Sequence, residues 1–277
     1  MKEEDFSIKK LLDIKNKLII EKPLIHCITN HITINDCANV VLAIGGKPIM
    51  AENKREVSDI TTSAKALAVN LGNISDNRMI SMMISGEVAY KNNIPSIIDI
   101  VGVNCSNLRL KFALEFINKC KPNVIKGNMS EIKAVLGLVT NSKGVDVNDE
   151  DNTTEKTINN NINIVKNLSN KTNSIVVATG EIDLISNGNE TYVIENGCIE
   201  LSMITGTGCM LNALIATCIS SGFVLEGAIL GTLIMGISGE LSNKAKGTAS
   251  FKVDLLDNIS TINDKDIIEK SKIRVVE

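Results

Sequence analysis

A glycine-rich run near residue 205 carries the residue types that bind phosphate in many proteins. The run is Thr205-Gly206-Thr207-Gly208-Cys209, and a strongly apolar helical pattern follows it at once. Glycines let the backbone turn sharply and approach a ligand closely. The first free N–H groups of a helix also point at an anion, which the helix dipole favours. The run therefore predicts a phosphate-binding turn at the start of a buried helix, with an ordinary tight loop as the alternative.

Cys209 closes this turn and could act as a general base. A thiol at a helix N-terminus has a lowered pKa, because the dipole stabilises the thiolate, and a thiolate can accept a proton from a substrate hydroxyl. Free cysteine is otherwise a small buried hydrophobic residue, so the residues alone leave both interpretations open. The remaining cysteines are interpreted as core or surface residues: Cys27, Cys37, Cys105, Cys120, Cys198 and Cys218.

Three charged residues lie in or just after predicted strands. Asp99 follows an apolar run, where a carboxylate is costly unless it meets a cation or a polar site. Lys126 ends the next predicted strand, and Glu131 begins the helix after it. A lysine and two acids at neighbouring strand ends suit a nucleotide with Mg²⁺, whose ligands would be mostly water and phosphate oxygens. An equal alternative is that Ser130 is a plain N-cap and that Glu131 only favours the helix dipole.

Two further segments could contact a ligand. Thr179 and Gly180 end a predicted strand, and a hydroxyl beside a glycine suits a phosphate oxygen, with a hairpin turn as the alternative. In the N-terminal part, Asn30 follows a predicted strand and Met50 ends one, and both could line a pocket for a small neutral heterocycle. Met50 could equally be a core residue, since methionine commonly fills core gaps.

Short apolar runs alternate with helical patterns, which predicts an α/β fold with a largely parallel sheet. The predicted strands are 24–28, 48–50, 66–71, 95–101, 122–125, 174–179, 182–186 and 191–194, with hairpin turns between the last three. The predicted helices are 4–21, 34–44, one ending near 91, 106–119, one from 130, 154–169, 208–221, 224–243 and 252–262, with a solvent loop at 141–153. Ligands collect at the carboxyl ends of parallel strands, where the polar residues above lie. No linker divides the chain, so residues 1–277 are predicted to form a single domain.

Composition excludes several classes of protein. The net charge of −3 gives no reason to expect nucleic acid or an anionic membrane as a partner. Apolar runs are interrupted by glycine, serine or charge before the roughly 18 residues that span a bilayer. Seven scattered cysteines without a CxxC motif, and only two histidines, argue against disulfides and a zinc site. These features predict a reducing, cytoplasmic location.

Six blocks, in their order and spacing, resemble those of the hydroxyethylthiazole kinases of the ribokinase-like superfamily. They are PLIHCITNHITINDCANVVLAIGGKPIMAE, NLGNIS, DIVGVN, KPNVIKGNMSEI, VVATGEIDLIS and ITGTGCMLNALIA. The resemblance covers most of the chain, from about residue 8 to residue 262. It implies a three-layer α/β/α fold and ATP-dependent phosphorylation of the primary hydroxyl of 4-methyl-5-(2-hydroxyethyl)thiazole, with Mg²⁺, in thiamine salvage. It also implies a homotrimer with sites at subunit interfaces.

The resemblance also implies roles at the glycine turn and in the substrate pocket. Cys209 would be the base at the substrate hydroxyl, and the amides of Gly206, Thr207 and Gly208 would cradle the charge of the transferring phosphoryl group. Asn30, Met50 and again Gly206 would contact the thiazole.

On the nucleotide side, Lys126 and Thr179 would contact ATP. Asp99 and Glu131 would hold Mg²⁺, mainly through its waters. Related sugar and pyrimidine kinases carry an aspartate where this chain has Cys209, which makes the cysteine a marker of the thiazole kinases.

Some blocks depart from the family pattern. The usual DPVG is DIVG at 99–102, the stretch after it is Asn104-Cys105-Ser106, and the usual HNITN is HCITN at 26–30. Lys126 replaces an arginine, which keeps the charge but loses the two-pronged fork. These changes surround the ligand sites, so a related kinase of the hydroxymethylpyrimidine type stays an alternative. Two others are an ATP-dependent lyase on the same fold, expected to carry aspartate in place of Cys209, and a non-catalytic binding protein.

Overall fold

A single sheet organises the computed structural model, which describes residues 5–138, 153–154 and 157–276. In these ranges the strands are β1 (Leu24–Ile28), β2 (Lys47–Ile49), β3 (Ala66–Asn70), β4 (Ser96–Asp99), β5 (Val124–Asn128), β6 (Ile175–Thr179), β7 (Asp183–Ser186), β8 (Thr191–Ile194) and β9 (Ile273–Val276). Their spatial order is β2-β1-β3-β4-β5-β6-β7-β8-β9. Strands β1 to β6 are parallel, and β7 to β9 extend one edge in antiparallel pairing. The predicted sheet, mostly parallel with antiparallel strands at one edge, is confirmed.

Helices cover both faces of the sheet. They are α1 (Asp5–Glu21), α2 (Ile34–Ala43), α3 (Val57–Ser63), α4 (Asp76–Lys91), α5 (Asn107–Cys120), α6 (Met129–Leu136), α7 (Ile158–Thr172), α8 (Thr207–Ile219), α9 (Val224–Ser242), α10 (Thr248–Thr261) and α11 (Asp264–Lys270), with a 3₁₀ helix at Ile199–Met203. One core cluster joins the sheet to α1, α2, α8, α9 and α10. A second joins the opposite face to α4, α5, α6 and α7, which gives the predicted three layers.

Helix α8 is held more tightly than a surface helix because it is buried on all sides. Every residue from Met210 to Ile219 is buried, and the helix packs on α9, α2 and β3. Beneath it, Ala66 and Ala68 of β3 are small enough for close approach, while Leu67 and Val69 point into the other core. Each fully buried Leu or Ile contributes about 1.5–3 kcal/mol. The helix that begins at the glycine turn is therefore a rigid support.

The predicted boundaries of two strands and one helix are wrong. Strand β5 continues to Asn128 because Gly127 and Asn128 pair with β6, whereas β4 stops at Asp99 and turns follow it. Helix α7 begins at Ile158 rather than at residue 154. Most of the predicted loop at 141–153 lies outside the described residues, but Thr153 is buried and accepts a hydrogen bond from Asn161 Nδ2 at 3.1 Å.

Four short elements were not predicted. Helices α3 and α11 have seven residues each, strand β9 has four, and the 3₁₀ helix has five. Elements of this length have weak periodicity, and β9 exists through its antiparallel pairing with β8.

Helix α9 corrects the expectation about apolar runs. It has 19 residues and is long and apolar enough to cross a membrane by length and composition alone. Most of its surface is buried inside the fold, between α8 and α10. Its apolar character is accounted for by this packing, as in the core helix of a globular protein.

Candidate active site

The carboxyl ends of β3, β4 and β5 place three polar residues side by side. Asn70 is the register partner of Asp99, and Asp99 is the register partner of Lys126. Side chains at partnered positions of parallel strands point to the same face. All three are buried. Sequence reasoning expected Asp99 and Lys126 here and missed Asn70, although it too is a polar residue that ends an apolar strand.

Asp99 and Lys126 form a buried ion pair. Lys126 Nζ donates to Asp99 Oδ2 at 3.0 Å, and the two residues are only 4% and 2% exposed. Burial raises the pKa of Asp99, and Lys126 opposes that rise. Burial lowers the pKa of Lys126, but Asp99, Cys209 and Glu131 raise it, so that the net shift is upward. We therefore assign Lys126 a stable positive charge at the carboxyl end of β5.

The glycine turn lies against this ammonium. Gly206 precedes α8 with φ +98°, no described side chain caps the helix, and the first helical amide to bond within it is that of Met210, which donates to Gly206 O at 2.8 Å. A Cβ on Gly208 would lie 3.3 Å from Lys126 Nζ. Uncapped helix amides beside a fixed cation form a site for an anion. This geometry leaves room for an anion at Thr207 and its neighbours, as the phosphate-binding interpretation requires.

Cys209 lies half-buried in the same turn and receives two amide contacts. Asn30 Nδ2 donates to Cys209 Sγ at 3.1 Å, and Asn70 Nδ2 donates to it at 3.4 Å. The turn, the ion pair and the thiol thus converge at one point.

The predicted lowering of the Cys209 pKa is wrong. Burial raises the pKa of the thiol, and the nearby Asp99 carboxylate raises it further. Lys126, Thr33 and Asn30 act in the opposite direction but do not outweigh burial. The helix dipole, from which the lowering was expected, is a partial charge of about one half. Burial of the sulfur is the largest cause of the raised pKa.

Glu131 is buried and has a structural role in the turn that follows β5. Its Oε2 accepts the N–H of Asn128 at 2.8 Å, while Asn128 Oδ1 accepts the N–H of Glu131 at 2.9 Å, which forms a capping box. Its Oε1 accepts the N–H of Gly102 at 2.7 Å. Burial, then the charge of Asp99, raise its pKa to about 7. The sequence offered Ser130 as the N-cap, but the cap is Asn128, and Ser130 is the second residue of the helix because α6 begins at Met129.

The acidic groups allow a limited test for a divalent cation. Among the described residues, no group of three or more His, Cys, Asp and Glu side chains is placed to hold a metal ion. Asp99 Oδ1 is buried without a hydrogen-bond partner in the described chain, although the Val101 amide faces the carboxylate and lowers its pKa. One orphaned carboxylate oxygen fits a hydrated Mg²⁺ that is held mainly by water and phosphate.

Thr179 is the last residue of β6, the strand next to the one that carries Lys126. It is the register partner of Asn128, and its hydroxyl donates to Gly127 O at 3.4 Å. Nearby, Asp183 Oδ1 accepts the N–H of Gly180 at 2.9 Å, and burial raises its pKa to about 7. Asp183 therefore closes the turn between β6 and β7, at the first residue of β7.

Met50 follows β2 on the other side of β1. It is half-buried and packs on the core cluster that contains α8. The carbonyl of Ala51 lies 2.9 Å from His26 Nε2, and His26 Nδ1 lies 2.9 Å from Thr61 Oγ1. Burial lowers the pKa of His26. The buried imidazole therefore fixes the backbone next to Met50, and His26 is a structural residue that the sequence did not single out.

Comparison with known proteins identifies the family. The model described as the Hydroxyethylthiazole kinase family matches residues 16–265. The chain belongs to this family. Hydroxyethylthiazole kinase 2 of Clostridium botulinum strain 657 is 58% identical to it over 262 residues, which cover 95% of this chain and 99% of that protein. The family resemblance of the sequence blocks is confirmed.

Solved structures agree with the hydroxyethylthiazole kinase assignment. The hydroxyethylthiazole kinase protein of Pyrococcus horikoshii OT3 superposes with a TM-score of 0.88 at 30% identity, covering 97% of this chain and 100% of that one. A ribokinase-like superfamily protein of Enterococcus faecalis superposes with a TM-score of 0.58 at 12% identity, covering 85% and 86%. The second match concerns the fold alone, and it confirms the predicted ribokinase-like class.

Proposed function

We propose that this chain transfers the γ-phosphoryl group of ATP to the primary hydroxyl of 4-methyl-5-(2-hydroxyethyl)thiazole, a step of thiamine salvage. Membership of the hydroxyethylthiazole kinase family supports the reaction class and the substrate. The observation that carries the proposal is the meeting of the Cys209 sulfur and the Lys126 ammonium at one uncapped glycine turn. A proton acceptor and an anion site within one turn are what phosphoryl transfer to an alcohol requires.

The proposed transfer has a simple balance of bonds and protons. The substrate oxygen forms a bond to the γ-phosphorus while the bond from that phosphorus to the bridging oxygen of ADP breaks. The hydroxyl proton passes to Cys209 Sγ, which acts as the general base. Lys126 and the amides of residues 206–209 face the negative charge that spreads over the transferring group. Bound Mg²⁺ would supply further neutralisation of phosphate charge.

The remaining predicted residues take supporting roles in this proposal. Asp99 would hold hydrated Mg²⁺ through its orphaned Oδ1. Glu131 would bind Mg²⁺ only through a water molecule, because both of its carboxylate oxygens already accept backbone N–H groups. Thr179 would join Lys126 in contacting ATP. Met50, Asn30 and Gly206 would line the thiazole pocket.

ATP consumption with two alcohols in parallel tests the proposal. We expect turnover with the thiazole alcohol and much less with 4-amino-5-hydroxymethyl-2-methylpyrimidine. A preparation of Cys209→Ala made in the same way controls for contaminating kinases. Turnover with the pyrimidine alone would indicate the related kinase, and no turnover with either alcohol would overturn the proposal.

Gly206→Ala is expected to remove most turnover. Its φ of +98° is in the left-handed region, and a Cβ would collide with the Thr33 side chain, so the turn must shift from its present position. Gly137→Ala is the matched control, because Gly137 has φ +76° with open space around a Cβ. Both changes should cost about 1–2 kcal/mol of left-handed strain, measured by thermal unfolding. Full turnover of Gly206→Ala would show that the conformation of the glycine turn is not needed for catalysis.

We further propose that the chain works as a cytoplasmic homotrimer with the site near a subunit interface. Ile32, Ile199 and Met203 are 69%, 68% and 60% exposed and flank the glycine turn, an arrangement typical of interaction surfaces. Every cysteine in the described chain is free, which suits a reducing compartment.

Light scattering after size-exclusion chromatography tests the oligomer. We expect a trimer mass for the parent chain and a monomer mass for the double variant Ile199→Glu with Met203→Glu, because two charges would be buried without partners. Val253→Glu is the control, since Val253 is 59% exposed on α10. A monomeric parent chain would contradict the proposal.

A further inference from the structure

Two buried asparagines surround the sulfur of Cys209, and their hydrogen-bond partners fix the direction of both amides. Asn30 Oδ1 accepts the N–H groups of Ile32 and Thr33, each at 3.1 Å. Asn70 Oδ1 accepts the N–H of Gly72 at 2.8 Å. A backbone N–H can only donate, so each amide oxygen must face the backbone. Both side-chain NH₂ groups must then face inward.

The hydrogens of the two NH₂ groups are then accounted for completely. Asn30 Nδ2 has one hydrogen for Asn70 Oδ1 at 3.2 Å and one for Cys209 Sγ at 3.1 Å. Asn70 Nδ2 has one for Asp99 Oδ2 at 2.9 Å and one for Cys209 Sγ at 3.4 Å. The sulfur therefore receives two N–H donors. A thiolate accepts such bonds far better than a thiol does, since charged acceptors form the stronger hydrogen bonds.

Asn70 itself is held by a fully buried arginine. Arg78 is 1% exposed, and its guanidinium donates to the carbonyls of Asn70, Gly72 and Asn73 at 3.0, 2.9 and 2.7 Å. Three bonds from one rigid planar group leave the segment after β3 little freedom. The position of Asn70 relative to Cys209 is set by the fold before any substrate binds.

We infer that Asn70 is a positioning residue that fixes the Cys209 sulfur through the amide it shares with Asp99 and favours the thiolate form of Cys209. The inference deepens the proposed function and rests on the base role of Cys209 given there. Asn70 is the single side chain in the described structure that donates to both the sulfur and the Asp99 carboxylate. It thus links the proton acceptor to the charged pair at the phosphate site.

The test measures the ionisation of Cys209 directly, without substrate. The rate of alkylation by iodoacetamide is followed across neutral and alkaline pH, with mass spectrometry of the peptide that contains Cys209. All chains carry Cys105→Ser, because Cys105 is an exposed thiol. We expect Asn70→Leu, similar in volume but without a donor, to raise the midpoint of the alkylation profile by about one to two pH units.

Two further variants sharpen the result. Asn70→Ala leaves room for a water that can donate in place of the amide, so its midpoint should rise less than that of Asn70→Leu. It also keeps the test open if the leucine chain does not fold, as judged by circular dichroism. Asn212→Ala is the matched control, because Asn212 is a buried asparagine of α8 that donates to Val69 O at 3.2 Å and does not contact the sulfur. Its midpoint should equal that of the parent chain.

Kinetics complete the experiment. Asn70→Leu should lower kcat about tenfold or more, with the KM for ATP little changed, since about one pH unit of thiol ionisation is lost at neutral pH. Asn70→Ala should lower kcat less. A midpoint that does not move in a folded Asn70 variant would overturn the inference. A shifted midpoint with unchanged kcat would confirm that Asn70 affects the ionisation of the sulfur. It would also show that Cys209 is not the base, which would overturn the link between Asn70 and catalysis.

Discussion

Replacing Cys209 with alanine should lower kcat by about 10²–10⁴-fold, the usual contribution of a general base, while ATP binding stays nearly intact. The sulfur is the proposed proton acceptor, and alanine offers no replacement at the end of the glycine turn. Steady-state kinetics gives kcat, and calorimetric titration with ATP gives the affinity. Cys218→Ala is the matched control, because Cys218 is a buried thiol of the same helix that is remote from the turn.

Cys209→Asp should restore much of the lost rate. A carboxylate is ionised at neutral pH, with an ordinary pKa near 3.9, and Lys126 lies close enough to the turn to favour its charge. The rate of Cys209→Asp should change little with pH near neutrality, unlike the rate of the parent chain. A fully active alanine variant would show that Cys209 is not the base.

The pH profile of the parent enzyme follows from the raised pKa of Cys209. Only the thiolate accepts the substrate proton, and below its pKa the thiolate fraction falls about tenfold for each pH unit. The rate should therefore rise from neutral into alkaline pH in the parent chain and stay nearly flat in Cys209→Asp. A flat profile in both would place another group in the base role.

Lys126→Met should lower the free energy of unfolding by about 3–5 kcal/mol, because removing one partner of a buried pair leaves the other charge uncompensated. Asp99 is 2% exposed, so loss of the ammonium that lies 3.0 Å from its Oδ2 leaves the carboxylate poorly compensated. Urea unfolding measures the loss, and turnover should also disappear because the anion site loses its cation. Lys119→Met is the control, since the Lys119–Glu115 pair is exposed and should barely change the urea midpoint.

The double variant Lys126→Met with Asp99→Asn separates stability from chemistry. A neutral amide at position 99 can still accept from Asn70 and no longer needs a cation, so most of the stability should return while turnover does not. If the double variant were as unstable as Lys126→Met, loss of packing and not loss of charge would be the cause.

The uncompensated carboxyl in Lys126→Met also sets the direction of its pH dependence. Its folded pKa would be raised above the unfolded value, so the folded state binds the proton more readily than the unfolded state does. Linkage then requires the stability of Lys126→Met, relative to the parent chain, to increase as the pH falls from neutral toward the unfolded value of about 3.9. Unfolding at two pH values on either side of this range measures the effect.

The sequence by itself determined the fold class and located several residues of the candidate site. Alternating apolar runs and helical patterns were enough for a parallel sheet, because strands buried on both faces must be apolar throughout. Polar residues at the carboxyl ends of such strands must then lie together at the same end of the sheet. That rule located Asp99 and Lys126 next to the glycine turn, and the order of blocks identified the family.

The tertiary structure alone decided what each polar residue does. Glu131 is mainly a helix cap, because its two oxygens are used by Gly102 and Asn128. The pKa of Cys209 is raised and not lowered, since burial depends on what packs around the turn and not on the turn's own residues. Asn70 joins Cys209, the proposed base, to the ion pair only because β3 and β4 pair in one register. Solvation and register arise from contacts between distant segments, which local patterns of sequence do not encode.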